Sequence, residues 1–189
     1  TGEAARQDVQ RLRARSSAIL TGSGTVLADD PRLNVRLREA ARQPLRAILD
    51  AELRTPPTAK ILQRPGSALI FTAAADLTAQ APLQATGAEI AVMPRCDERL
   101  SLPEIMAELA RRECNELHVE CGPTLAGALL QAGLMNELVI YLAPLLLGDR
   151  ARGLFQLPEL LNMQERRELE ILEMRAVGRD WRITLRPVR

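Results

Sequence analysis

Hydrophobic and polar positions along this chain follow two periods, and the changes from one to the other mark its elements. From Glu3 to Arg15, apolar or small residues recur at helical spacing (Ala5, Val9, Leu12) among charges, which predicts an amphipathic helix. Short apolar runs bounded by turn residues read as buried strands at 17–20, 45–49, 68–71 and 89–93. Residues 102–112 return to helical spacing and 116–120 to a strand. A small-residue helix is expected over 124–132, stopping at Gly133 as C-terminal caps commonly do. Residues 138–142 give the next strand, and extended runs at 170–176 and 181–185 flank the turn Gly178-Arg179-Asp180. Residues 21–43 are turn-rich and show no period, so a long loop is expected there. Alternating strands and helices followed by a hairpin predict an α/β fold with a mostly parallel sheet and an antiparallel edge.

Two of the transitions carry chemistry. At Glu120-Cys121-Gly122-Pro123-Thr124-Leu125-Ala126-Gly127-Ala128 an apolar strand ends in a carboxylate, then a Gly-Pro turn, then a helix start. Free backbone N–H groups at such a start, with the helix dipole behind them, suit a phosphate, and the carboxylate suits a hydroxyl or a proton. The second segment, Thr21 to Arg36, contains Gly22-Ser23-Gly24 after a strand. It lacks the third glycine and the immediate helix that a Rossmann fingerprint requires, and an Asp29-Asp30-Pro31 turn comes early instead. Arg13 and Arg36 flank this loop, and two guanidinium forks suit one phosphate.

Composition narrows the class. A chain of 189 residues, 47% hydrophobic, has enough apolar surface for one substantial core and reads as a single domain, 1–189. Lys plus Arg (25) almost balance Asp plus Glu (24), which argues against a nucleic-acid footprint or a basic membrane arm. No apolar run approaches a bilayer-spanning length, and no secretory signal opens the sequence. Cys96, Cys114 and Cys121 show no framework spacing, which favours a reducing cytoplasm. His118 lies near Cys114 and Cys121 without a second ligand pair, so no metal is expected.

The runs ARSSAILTGSGTVLADDPRLNVR and VECGPTLAGALLQAGLMNELVIYLAPLLLG resemble the reductase domain of the bacterial bifunctional riboflavin-biosynthesis deaminase/reductase. The resemblance extends from the first helix to the terminal hairpin. It implies a dihydrofolate-reductase-like fold, commonly assembled as a homodimer. It also implies NADPH-dependent reduction of 5-amino-6-(5-phosphoribosylamino)uracil to its ribitylamino product. On the substrate side it points to Arg13, Leu33, Arg36 and Glu120, with Glu120 orienting a hydroxyl or shuttling a proton. On the cofactor side it points to Thr25, Asp29 and Ala51, and to the turn Gly122, Pro123, Thr124, Leu125, Ala126, Gly127 and Ala128. Relatives carry a preceding strand and an N-terminal zinc deaminase domain. This sequence opens on Thr1-Gly2-Glu3, a helix start with Thr1 as the expected cap, so it is expected to begin inside a larger protein.

Plainer readings stand beside these. Glu120 suits a helix start, Arg13 and Arg36 could be solvated charges, and Asp29-Asp30-Pro31 is a good turn. His118 reads as a packed or interface side chain. Leu145-Leu146-Leu147 reads as core, or as part of a subunit interface. A reductase of the related diamino-pyrimidinone phosphate and a non-catalytic NADPH-binding or dimerisation domain are the alternatives. Dihydrofolate reductase itself fits less well, because 2% aromatic content offers few rings to stack on a pterin.

Overall fold

Helix α1 (Glu3–Arg15) leads into β1 (Ala18–Gly22), α2 (Ser23–Asp29), β2 (Leu45–Leu49), β3 (Ala68–Thr72), α3 (Leu77–Gln84) and β4 (Glu89–Val92). A small hairpin of β5 (Arg95–Cys96) and β6 (Arg99–Leu100) precedes α4 (Leu102–Arg111), β7 (Leu117–Val119) and α5 (Pro123–Gln131). The last elements are β8 (Leu138–Leu142), β9 (Leu169–Val177) and β10 (Asp180–Pro187). This computed structural model describes residues 1–38, 42–148 and 150–188, so positions 39–41 of the expected loop lie outside the described residues. The chain divides into a sheet unit, residues 10–122, and a hairpin unit, residues 1–9 with those from 123 onward.

In the sheet unit, five parallel strands run in the order β4-β3-β2-β1-β7. Side chains alternate across a strand, so each strand feeds two cores. Ile19, Ile48 and Ile70 point to one face, where Val26 of α2 and Leu83 of α3 cover them. Leu20, Ala47, Leu69 and Phe71 point to the other, under Ile105 and Leu109 of α4 and Leu100 of β6. Burial on both faces explains why the central strands read as unbroken apolar runs.

Two helices depart from the sequence expectation. Residues 23–29 form α2 directly after β1, where a loop was expected. Burial of Val26 and a left-handed Asp30 at the C-cap (φ 42°) define this short helix, although Gly24 lowers its propensity. The Asp-Asp-Pro signal was sound one residue on: Asp30 ends the helix and accepts from the Lys60 backbone N–H at 2.8 Å. Helix α3 went unread because Pro82 lies inside it and only Gln80 and Leu83 are buried, which leaves no period to see. Asp76 starts it by accepting from the Thr78 N–H at 2.9 Å.

In the hairpin unit, β8, β10 and β9 form an antiparallel sheet of their own, so the expected hairpin recruits β8. Gly2, not Thr1, precedes the first helical residue, and its N–H donates to Asp180 at 2.7 Å. Asp8 of α1 accepts from the Tyr141 hydroxyl (2.7 Å), Arg175 (3.1 Å) and Arg182 (3.2 Å). Burial pushes the Asp8 carboxyl up, but these donors outweigh it and hold it below the usual carboxylate range. At the end of α5, Gly133 (φ 65°) closes a Schellman motif in which Leu134 N–H donates to Leu129 C=O at 3.0 Å. Leu145, Leu146 and Leu147 are exposed rather than core.

Candidate active site

The order of the parallel strands fixes where a ligand site belongs. The chain steps outward from β1 through β2 and β3 to β4, then returns to the other side of β1 as β7. The crevice at the carboxyl ends of β1 and β7 is therefore the topological switch point, where open α/β sheets bind ligands. Thr21 to Gly24 leave one strand there, and Glu120 to Gly122 leave the other. Glu120 extends the ladder, its N–H donating to Leu20 C=O at 3.0 Å. The register pairs Ile19 with His118. Alternation then sets Ile19, Thr21, His118 and Glu120 on one face.

Arg13, near the end of α1, meets Glu120 on that face. Its Nε donates to Oε1 at 2.5 Å and its Nη2 to Oε2 at 2.7 Å, a two-pronged pair between residues 107 positions apart. The third nitrogen, Nη1, donates to the Asn34 carbonyl at 3.2 Å. His118 Nε2 lies 3.2 Å from Oε1 of the same carboxylate. That nitrogen is shielded from solvent and makes no hydrogen bond of full geometry. Burial raises the Glu120 pKa, but the Arg13 fork and the His118 ring prevail and hold the carboxyl down at about 2. Glu120 is thus held as an anion that can accept from a hydroxyl.

Arg13 and Glu120, both singled out from the sequence, are brought together. Leu33 is buried in the core of the α2 face, with a left-handed backbone (φ 44°). Arg36 is exposed, and its backbone N–H donates to Gln10 Oε1 at 2.8 Å. Thr25 and Asp29 lie one turn apart on α2, the first half-buried and the second exposed. Ala51, just past β2, packs against the α4-side core, and its carbonyl accepts from the Thr72 hydroxyl (3.0 Å) and the Ala73 N–H (3.1 Å). A Cβ at Gly24 or Gly122 would meet nothing within 4 Å, so both glycines face open space at the switch point.

The rest of the expected turn belongs to the hairpin unit, where Pro123 opens α5. Pro123, Thr124, Leu125, Ala126, Gly127 and Ala128 form its first turns. The segment at Gln156 lies directly against them. Gln156 N–H donates to Pro123 C=O (3.0 Å), the Thr124 hydroxyl donates to Gln156 Oε1 (2.8 Å), and a Cβ at Gly127 would fall 2.1 Å from the Gln156 carbonyl oxygen. Gly127 is therefore required for packing. Gly127→Ala is expected to push the Gln156 segment off α5 at a cost of about 1–3 kcal/mol, read as a lower urea midpoint.

The sequence reading gave no site role to Asn34 or His118. The signal for His118 was its two-residue separation from Glu120 within a strand, which puts both on one face. No local signal marks Asn34, whose contact with Arg13 is made by its backbone.

A family model described as the RibD C-terminal domain matches residues 1–183. The chain belongs to the RibD C-terminal domain family. The riboflavin biosynthesis protein RibD of Escherichia coli K12 is 42% identical over 192 residues, 95% of this chain and 51% of that protein. The 5-amino-6-(5-phosphoribosylamino)uracil reductase of Buchnera aphidicola (subsp. Acyrthosiphon pisum) is 30% identical over 199 residues, 99% of this chain and 94% of that protein. Among solved structures, Acinetobacter baumannii RibD (form 1) superposes with a TM-score of 0.88 at 35% identity, covering all of this chain and 51% of that one. The chain therefore spans about half the length of the RibD proteins it matches. The parallel sheet, its covering helices and the antiparallel hairpin are the fold of this RibD C-terminal domain family, as expected for a dihydrofolate-reductase-like class.

Proposed function

We propose that this chain is an NADPH-dependent reductase of 5-amino-6-(5-phosphoribosylamino)uracil, acting in riboflavin biosynthesis in the cytoplasm. The observation that carries the reading is the anionic Glu120, clamped by Arg13 at the switch point of a RibD C-terminal domain. In this reaction the ribosylamine opens to an imine, hydride adds at the first sugar carbon, and one proton reaches the nitrogen. NADPH supplies the hydride when bound. Open space over Gly24 and Gly122 suits a cofactor lying close to the backbone. In the sheet unit Thr25, Asp29, Ala51 and Gly122 are the residues assigned to it; in the hairpin unit the sequence assigns the α5 turn from Pro123 to Ala128, a helix start of the kind that suits phosphates.

We divide among these residues the substrate roles that the sequence had pooled. Arg13 is engaged by Glu120 and Asn34, so in this proposal it positions the carboxylate, and exposed Arg36 takes the 5′-phosphate. Glu120 accepts a ribose or ribityl hydroxyl and fixes the open chain. Leu33, a buried residue of the 30–36 loop, holds that loop's shape. The test is NADPH oxidation monitored with the phosphoribosylamino-uracil, on this chain and on one extended at its N-terminus. Turnover in either supports the reductase; a strong preference for the diamino-pyrimidinone substrate would reassign it to the related enzyme. No turnover in both would remove the reading.

The partner proposed alongside is a second copy of this chain. Among the described residues of the hairpin unit, Ile171, Leu172 and Met174 on edge strand β9 and Trp181 on β10 are exposed. An unpaired edge bearing large apolar side chains favours association. Light scattering should give twice the chain mass, and Ile171→Glu should reduce it to the monomer. A monomeric unmodified chain would refute the dimer. Among the described residues no helix is long and apolar enough to cross a membrane.

A further inference from the structure

We propose that His118 is a positioning residue for Glu120, holding the carboxylate from the strand side while Arg13 holds it from the helix side. Nothing in the local fold requires an imidazole here, since the neighbouring strand residues Leu117 and Val119 pack on the opposite core. His118 instead shares Glu120's face, two residues earlier in the same strand. Its Nε2 is 3.2 Å from Oε1, is hidden from solvent and has no aligned partner elsewhere.

A clamp by Arg13 alone would leave the carboxylate free to pivot about the plane of the guanidinium. Both oxygens already accept from that fork, so a third donor at Oε1 selects one orientation. The lone pairs remaining on Oε2 are then the ones presented to a ligand hydroxyl. The incomplete hydrogen bond fits this arrangement, because catalytic hydrogen bonds often tighten only when substrate arrives. Arg13 from α1 and His118 from β7 are the charged or titratable groups that bear on Glu120 in the described structure. Both favour its ionised form, so loss of either is felt at the carboxylate itself.

The test uses the full chain with ¹³C-labelled glutamate side chains, the Glu120 carboxyl resonance being assigned by its loss in E120Q. In the unmodified protein Glu120 should remain ionised down to pH 3.5. In His118→Phe it should protonate at a higher pH than in the unmodified protein, and in His118→Gln, which keeps a neutral donor, it should shift less. An unchanged Glu120 titration in both variants overturns the proposal. The kinetic arm rests on the reductase reading: His118→Phe should lower kcat about tenfold with the KM for NADPH unchanged, and His118→Gln should restore most of it. A KM effect alone, or equal losses in both variants, also overturns it. If the unmodified protein shows no turnover, the reductase reading fails while the carboxyl titration still decides the role of His118.

Discussion

Arg13→Ala is expected to cost about 3–5 kcal/mol of stability at pH 7, because it strips the counter-ion from a carboxylate that stays buried. The side chains of Arg13 and Glu120 are only 11% and 26% exposed, so solvent cannot take over what the guanidinium supplied. Three donated hydrogen bonds go with it, one of them to the Asn34 carbonyl. The loss should depend on pH with a definite sign. Glu120's folded pKa is depressed from its ordinary 4.5 to about 2, so its contribution is complete above pH 4.5 and disappears as pH falls through 2. That shift corresponds to about 3 kcal/mol. Urea midpoints of the Arg13→Ala and unmodified proteins should therefore differ most near neutrality and converge toward pH 2–3. A difference that stays constant over that range would mean that Arg13 acts through packing and not through the Glu120 charge.

The same pair shows what a sequence can and cannot reveal. Glu120 stood out because polarity breaks sharply after an apolar strand, and that break is local. Strands β2 and β8 matched their expected bounds for the same reason, since a run such as Leu45 to Leu49 carries its burial in its own composition. Arg13 was read with Arg36 as one half of a phosphate fork, because nothing near it in the chain announces a partner 107 residues away. Helix α2 was missed because only buried Val26 and Ser23 anchor it, too few to make a period, and Gly24 argued against it. The need for Gly127 was equally hidden. The family resemblance placed it among the cofactor residues, whereas the atom that a Cβ there would meet is the Gln156 carbonyl oxygen, brought from a distant segment. Open space belongs instead to Gly24 and Gly122, which the strand order places at the carboxyl ends of β1 and β7. Local composition thus marked the two segments, and topology decided which of their residues touch.

Glu120→Gln separates the two roles left open for this carboxylate. A general acid must be protonated when it acts, and a group with a pKa near 2 is protonated about once in 10⁵ molecules at pH 7. The proposed role is therefore that of a fixed anion, which would accept a hydroxyl of the open sugar chain and favour positive charge at the imine. Glutamine keeps the shape and one acceptor but removes the charge, and its amide hydrogens face Arg13, which cannot release its proton. Turnover should fall about 100-fold, the size expected when one preorganised electrostatic contact is lost. The ratio of unmodified to variant rates should stay level from pH 5 to pH 8, because Glu120 does not titrate there. Proton transfer by Glu120 predicts the opposite, a ratio that changes with pH as the acid form is depleted. Arg13→Ala should lower turnover as well, but through a carboxylate that has lost its orientation. In the double variant Arg13→Ala/Glu120→Gln the two losses should then fall well short of additive. Full additivity would show that Arg13 contacts the substrate independently of Glu120, and would return it to the phosphate site beside Arg36.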